Sequence, residues 1–112
     1  MPINSRAKGA SYERHIAKKI RECGYEAERG CQHAGGKDSP DVKCSMKGIH
    51  WECKKVEKLN IWNAIKQSKR DAGEDEIPAV VFSRNREDDY VAVPFDDFMR
   101  MYRCYEKEWF EE

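Results

Sequence analysis

The stretch "SPDVKCSMKGIHWECKK", residues 39–55, decides how this chain is read. Its apolar residues alternate: Val42, Cys44 and Met46, then Ile49, Trp51 and Cys53. A period of two marks a pair of strands. Lys47-Gly48 between them reads as a two-residue turn, with glycine supplying the positive φ. A turn of that length fixes the register. Met46 then opposes Ile49, Cys44 opposes Trp51, and Val42 opposes Cys53 on one side of the ribbon. On the other side Ser45 opposes His50, Lys43 opposes Glu52, and Asp41 opposes Lys54. Asp41 and Glu52 become diagonal neighbours, with Cβ atoms roughly 7–8 Å apart, and a divalent cation can sit between carboxylates so placed. The competing reading is an ordinary solvated strand face whose charges form cross-strand pairs.

Three features favour the first reading. Pro40 starts the strand at Asp41, beside a Gly-rich loop through which a substrate can approach. The flanking "GKD" and "KKVEK" gather positive charge around it. Glu13 falls on the apolar stripe of an upstream helix, where a purely structural design would place leucine. A carboxylate facing a core needs a partner, and a metal ion or a lysine would serve. Glu13 also reads as a first-turn acid stabilised by the helix dipole.

Working outward, residues 1–10 read as a flexible basic arm carrying Arg6 and Lys8, and residues 11–112 as one domain. Ser11 is the expected cap of a helix that Gly24 ends; its stripe is Tyr12, Ile16, Ala17, Ile20 and Cys23. Residues 25–29 alternate as a strand, and "GCQHAGGKDSP" is a loop. After the hairpin, residues 60–72 form a helix with Ile61, Trp62, Ala64, Ile65 and Ala72 on its apolar side. "AVVFS" suits a central strand covered on both faces, and "YVAVP" is a further strand. A last helix begins at Asp96 or Asp97 with the stripe Phe95, Phe98, Met99, Tyr102, Tyr105 and Trp109, expected to pack on the sheet or to form a dimer face. The expected order α-β-β-β-α-β-β-α defines one α/β domain, a mixed central sheet flanked by helices.

Composition bounds the function. The chain has 112 residues, enough for one core. Charged residues reach 38% with a net charge of zero. Residues 1–70 hold 16 Lys and Arg against 8 Asp and Glu, whereas residues 71–112 hold 5 against 13. Either the basic half serves a nucleic-acid surface, or the halves neutralise each other in space. Five cysteines without CxxC spacing, and no secretory signal before them, suit a reduced intracellular protein. No apolar run approaches the roughly 20 residues of a membrane span.

Pro40-Asp41 followed by Glu52-Cys53-Lys54, with Glu13 on an upstream helix, resembles the PD-(D/E)XK nuclease signature. The resemblance covers nearly the whole chain: the "YERHIAKKIRECGYEAER" opening, the hairpin, the helix with Gln67, "AVVFS" and "VPFDDF". It is most similar to small resolvases of the archaeal Holliday-junction type and their phage-encoded relatives. The resemblance implies a restriction-endonuclease-like core and an endodeoxyribonuclease acting on DNA, branched DNA above all. Such resolvases often carry a serine in the loop before the motif; here Cys31, His33 or Ser39 can take that place.

Phosphodiester hydrolysis needs an activated water, charge stabilisation and help for the leaving oxygen, much of which a hard cation such as Mg²⁺ provides, with Mn²⁺ as a substitute. Asp41, Glu52 and the backbone carbonyl of Cys53 are the expected metal ligands. Lys54 orients or deprotonates the water, or neutralises developing charge. Glu13 completes the expected catalytic set, holding a water or a second metal. Gln67 reaches substrate or Lys54. Arg6, Lys8, Arg29, Lys37, Lys55, Lys58, Lys66, Lys69 and Arg70 are the candidates for phosphate contacts. Symmetric cutting of two strands implies a homodimer. The rivals are a nuclease of this fold for flaps, nicks or other DNA, and a nucleic-acid-binding module that does not cut. The expected location is the cytoplasm, with a virus-encoded protein acting in its host cell included.

Overall fold

The computed structural model describes residues 5–30 and 40–110. Three helices and five strands follow in the order α1 (Ser5–Glu22), β1 (Ala27–Arg29), β2 (Val42–Cys44), β3 (Ile49–Lys55), α2 (Ile61–Asp71), β4 (Ile77–Ser83), β5 (Tyr90–Ala92) and α3 (Phe95–Phe110). The strands make one sheet, β1-β2-β3-β4-β5, in which β3 and β4 run parallel and every other neighbour is antiparallel. The parallel pair requires a crossover, and α2 supplies it.

Local chemistry explains the boundaries. Gly24 takes φ 99° after α1. There the amide of Tyr25 bonds back to the carbonyl of Ile20 and that of Gly24 to Arg21, the paired closure that glycine permits at a helix end. Asn60 caps α2 by accepting from the Asn63 amide at 3.1 Å. The helix starts at Ser5, ahead of the expected Ser11 cap, so Ser5–Ala10 form its first turns and Lys8 is on a helix. Residues 1–4 lie outside the described residues.

The hairpin register differs from expectation. Val42 pairs with Trp51, not Cys53, and four residues, 45–48, join the strands. Gly48 still takes positive φ, at 79°, but its carbonyl accepts from Ile77 at the start of β4. The loop is thus shaped by β4 as well as by its own turn residues. Lys43 consequently leaves the neighbourhood of Glu52 and pairs with Glu28 on β1, an exposed pair of opposite charges.

α1 covers one face of the sheet. Tyr12, Ile16, Ala17 and Ile20 pack with Val42, Trp51, Cys53, Ala79 and Val81 into one core. The period of two turns His50 and Glu52 to the reverse face, where α2 lies against β3 and β4 with Ala64 and Ser68 buried. β3 is therefore enclosed on both sides, and the reading of its charged face as solvated fails. Trp62, expected on the apolar side of α2, is 69% exposed. α3 departs most from the expected packing on the sheet: none of its residues is buried.

Candidate active site

Asp41 stands just before β2 and Glu52 in the middle of β3. The Val42–Trp51 pairing makes these two carboxylates neighbours across the ribbon. Backbone bonds fix Asp41 on both sides. Its amide donates to the Trp51 carbonyl at 3.0 Å, and its carbonyl accepts from the Gly30 amide at 2.8 Å. Its Oδ2 accepts from the Cys53 amide at 2.8 Å. The close passage of β1 explains Gly30: a Cβ there would overlap the Pro40 carbonyl oxygen and come within 3.1 Å of the Pro40 carbonyl carbon. Any larger residue must push Pro40-Asp41 away.

Glu52 is 3% exposed. Burial first, and then the charge of Asp41, push its carboxyl up to about 7, against the opposing influence of Lys54. Lys54 lies two residues on, so it shares the strand face, with Nζ 3.9 Å from Glu52 Oε2. Glu13 reaches the same cleft from α1. Its buried carboxylate accepts from Arg29 Nε at 2.7 Å. The partner that a carboxylate on an apolar stripe requires is thus an arginine from β1, not a lysine. Burial still raises the Glu13 pKa; the Arg29 bond opposes the rise and the charge of Asp41 adds to it.

These side chains line one cleft of about 460 Å³: Glu13, Asp41, Glu52, Lys54 and Gln67, with Lys8, Gly9, Cys53, Lys55, Val56 and Glu57 completing the wall. The expected set Glu13, Asp41, Glu52 and Lys54 is therefore brought together, and Gln67 joins it from α2. Lys55 also lies over the Tyr12 ring, 5.8 Å from its centre. Lys58, Lys66, Lys69 and Arg70 are exposed, with Arg70 Nε 3.7 Å from Asp71. Arg29, exposed along β1, is engaged with Glu13. The side chain of Arg6 and all of Cys31, His33, Lys37 and Ser39 lie outside the described residues. The two charge halves meet where Lys19 and His15 on α1 hold Asp89 at 2.8 and 2.9 Å.

Two contributors were missed in the sequence. Gly30 is one; its signal, a glycine ending a strand before a loop, is too common to single out. His50 is the other. It is 1% exposed, with Nε2 3.9 Å from Glu52 Oε1 and Nδ1 3.8 Å from Glu76 Oε1. Its position two residues before Glu52 places it on the same face, but the alternation says nothing of Glu76, which comes from the turn before β4.

The donor chemistry fits a hard divalent cation. Asp41 and Glu52 offer carboxylate oxygens side by side, and the Cys53 carbonyl lies between Glu52 and Lys54 in the chain. Glu52 is buried against a like charge, and a cation would relieve that repulsion. Among the described residues no three His, Cys, Asp or Glu side chains form a closed metal cage. Two carboxylates leaving room for waters and phosphate oxygens is the arrangement Mg²⁺ prefers.

A mixed sheet with a helical crossover, an acidic pair at its centre and a lysine two residues beyond the second acid define a PD-(D/E)XK-type domain. The chain belongs to the family described as "Phage putative PDDEXK endonuclease", whose pattern matches residues 4–110. No curated protein matches the sequence. Nucleases of this class generally use divalent metal ions, and DNA is the substrate the family name implies. Among the described residues no helix is long and apolar enough to cross a membrane.

Proposed function

We propose that this chain is a Mg²⁺-dependent, structure-selective DNA endonuclease, a Holliday junction resolvase that works as a homodimer on branched DNA inside the infected cell. The observation that carries the nuclease reading is Glu52, buried beside Asp41 and capped by Lys54 in a cleft open to solvent. A pure binding module gains nothing from two carboxylates facing phosphate. Asp41, Glu52 and the Cys53 carbonyl would hold the cation, with Mn²⁺ able to replace it, and the bound ion would supply Lewis-acid polarisation of a phosphoryl oxygen. Lys54, partly buried beside Glu52, orients the attacking water or neutralises the charge that develops on the phosphorus oxygens. Glu13, held by Arg29, accepts a hydrogen bond from water on the α1 side of the cleft. Gln67 contacts the substrate backbone.

Lys8 and Lys55 would meet the phosphates nearest the cleft, while Lys58, Lys66, Lys69 and Arg70 extend the basic track along α2. Arg6, Arg29 and Lys37 complete the proposed contacts. Among the described residues no helix resembles a recognition helix for reading bases, so shape would set specificity. The test is cleavage of a panel of four-way junctions, flaps, nicked and plain duplexes with Mg²⁺, at equal salt. Paired nicks on opposing strands of the junction are expected. Equal cutting of flaps or plain duplex would remove the resolvase assignment and keep the nuclease, and no cutting of any DNA would remove both.

A further inference from the structure

The last helix presents a seam that the other described residues leave bare. Phe95, Phe98, Tyr102, Tyr105 and Trp109 are spaced three, four, three and four residues apart, so they fall on one stripe at the spacing of a two-stranded helix pair. All five are exposed, by 69%, 50%, 40%, 50% and 70%. Their rings already run as a ladder along the helix, with centroids 6.2 Å apart for Phe98–Tyr102, 5.8 Å for Tyr102–Tyr105 and 6.3 Å for Tyr105–Trp109. Met99 and Met101 flank the stripe and are exposed as well.

We propose that α3 pairs with α3 of a second copy of this chain, burying the aromatic seam in a two-fold interface. This deepens the dimer in the proposed function and rests on that reading only for its consequence, not for its evidence. The area suffices: aromatic side chains bury about 150–250 Å² each, so five half-exposed rings per chain remove roughly 800–1,200 Å² in a pair. Specific interfaces start near 1,200 Å² in total, and the flanking methionines make up the difference. Identical three-four stripes are complementary to themselves, because each side chain of one helix drops between four of the other.

The charges of α3 lie off the seam. Residues 95–110 carry Asp96, Asp97, Glu106 and Glu108 against Arg100, Arg103 and Lys107; the three basic residues, at i, i+3 and i+7, share the side away from the seam, so the aromatic stripe itself offers no cation to DNA or to an anionic membrane. The cleft contains no α3 residue. Pairing therefore leaves both clefts open, and each can cut its own strand.

The experiment is sedimentation of the DNA-free, metal-free protein over a wide concentration range. Wild-type protein should show the mass of two chains. Phe98→Glu with Tyr105→Glu should show one chain, with unchanged far-ultraviolet circular dichroism because α3 supports no core. Arg100→Glu with Lys107→Glu, off the seam, should remain at two chains. A wild-type protein that stays single at every concentration, or a seam variant that stays paired, overturns the proposal. The functional consequence is read separately: the monomeric variant should still nick one strand of a junction while losing paired cuts. Failure of wild-type protein to nick at all would strike the nuclease reading and leave the measured mass untouched.

Discussion

β3 and α3 are both built from large apolar residues interrupted by charges, and the molecule treats them in opposite ways. β3 has neighbours on both edges and both faces. Its charges, Glu52 and Lys54, are drawn inward with the apolar residues beside them. α3 carries its rings, and all its charges but the partly covered Asp97, in solvent. The difference teaches that enclosure, not composition, turns a charged residue into a reactive one. Glu52 is perturbed because α2 closes the face on which it stands. Asp96, Glu106 and Glu108 of α3 have water around them, and Asp97, partly covered, is bonded by Arg100.

The contrast breaks most visibly at the cleft. Glu52→Ala and Asp41→Ala should each lower cleavage by about 10³-fold or more, as loss of a central charge-stabilising group does, while far-ultraviolet circular dichroism is preserved. Gel-based initial rates check this, and a variant cutting at the wild-type rate would move the site elsewhere. The stability contrast comes next. Trp51→Ala removes a buried ring of the core and should cost about 3–5 kcal/mol. Trp109→Ala, in dilute protein where chains separate, should cost under about 0.5 kcal/mol, as exposed substitutions do. Urea unfolding of both variants measures the gap, and equal costs would mean that α3 packs on the sheet after all.

Those same two regions show what could be read in advance. The acids and lysine of the cleft were legible because the signature is local: Pro40-Asp41, then Glu52 and Lys54 two residues apart, sit on one ribbon whatever its exact register. The four-residue loop was not legible, because Lys47-Gly48 satisfies a tight turn and nothing nearby reveals that Ile77 will bond to Gly48. Nor was the Glu13–Arg29 pair, since only the packing of α1 on β1 brings them together. The stripe on α3 was visible, but a three-four pattern says that a face will be covered without saying by what. Trp62 misled for a related reason: an aromatic on a helix counts as apolar in any pattern, although its surroundings here are solvent.

Protonation sharpens the contrast further. The Glu52 carboxyl rises from its ordinary value of 4.5 to about 7 in the fold. A raised acid favours the folded state when protonated, so its contribution is fully present below about pH 4.5 and is lost as pH climbs through 7. Metal-free wild-type protein should therefore melt lower at pH 8 than at pH 5, and Glu52→Gln should flatten the dependence. Mg²⁺ at pH 8 should recover part of the melting temperature for wild type and none for Glu52→Gln. An unchanged profile in the variant would place the perturbed group elsewhere.

The smallest effect concerns a place where the charge halves meet. Asp89, before β5, accepts from Tyr12 at 2.8 Å, His15 at 2.9 Å and Lys19 at 2.8 Å. Burial works against its charge, yet the bonds from Lys19, His15 and Tyr12 hold its pKa down at about 2. A lowered acid contributes stability above its ordinary value of 3.8, and that contribution disappears as pH falls through 2. Lys19 and His15 are half-exposed, at 52% and 51%, so screening reduces what their charges add. The bond from the buried Tyr12 carries more, because Asp89→Ala leaves that hydroxyl without its acceptor. Asp89→Asn keeps an acceptor for Tyr12 and should cost only about 0.5–1 kcal/mol. Asp89→Ala should cost more, about 1–3 kcal/mol. Raised salt should narrow the gap between wild type and Asp89→Asn but leave the penalty of Asp89→Ala largely in place. Melting curves of the three proteins at low and high salt decide the matter, and identical losses for the two variants would mean that the charge, not the tyrosine bond, ties α1 to the edge of the sheet.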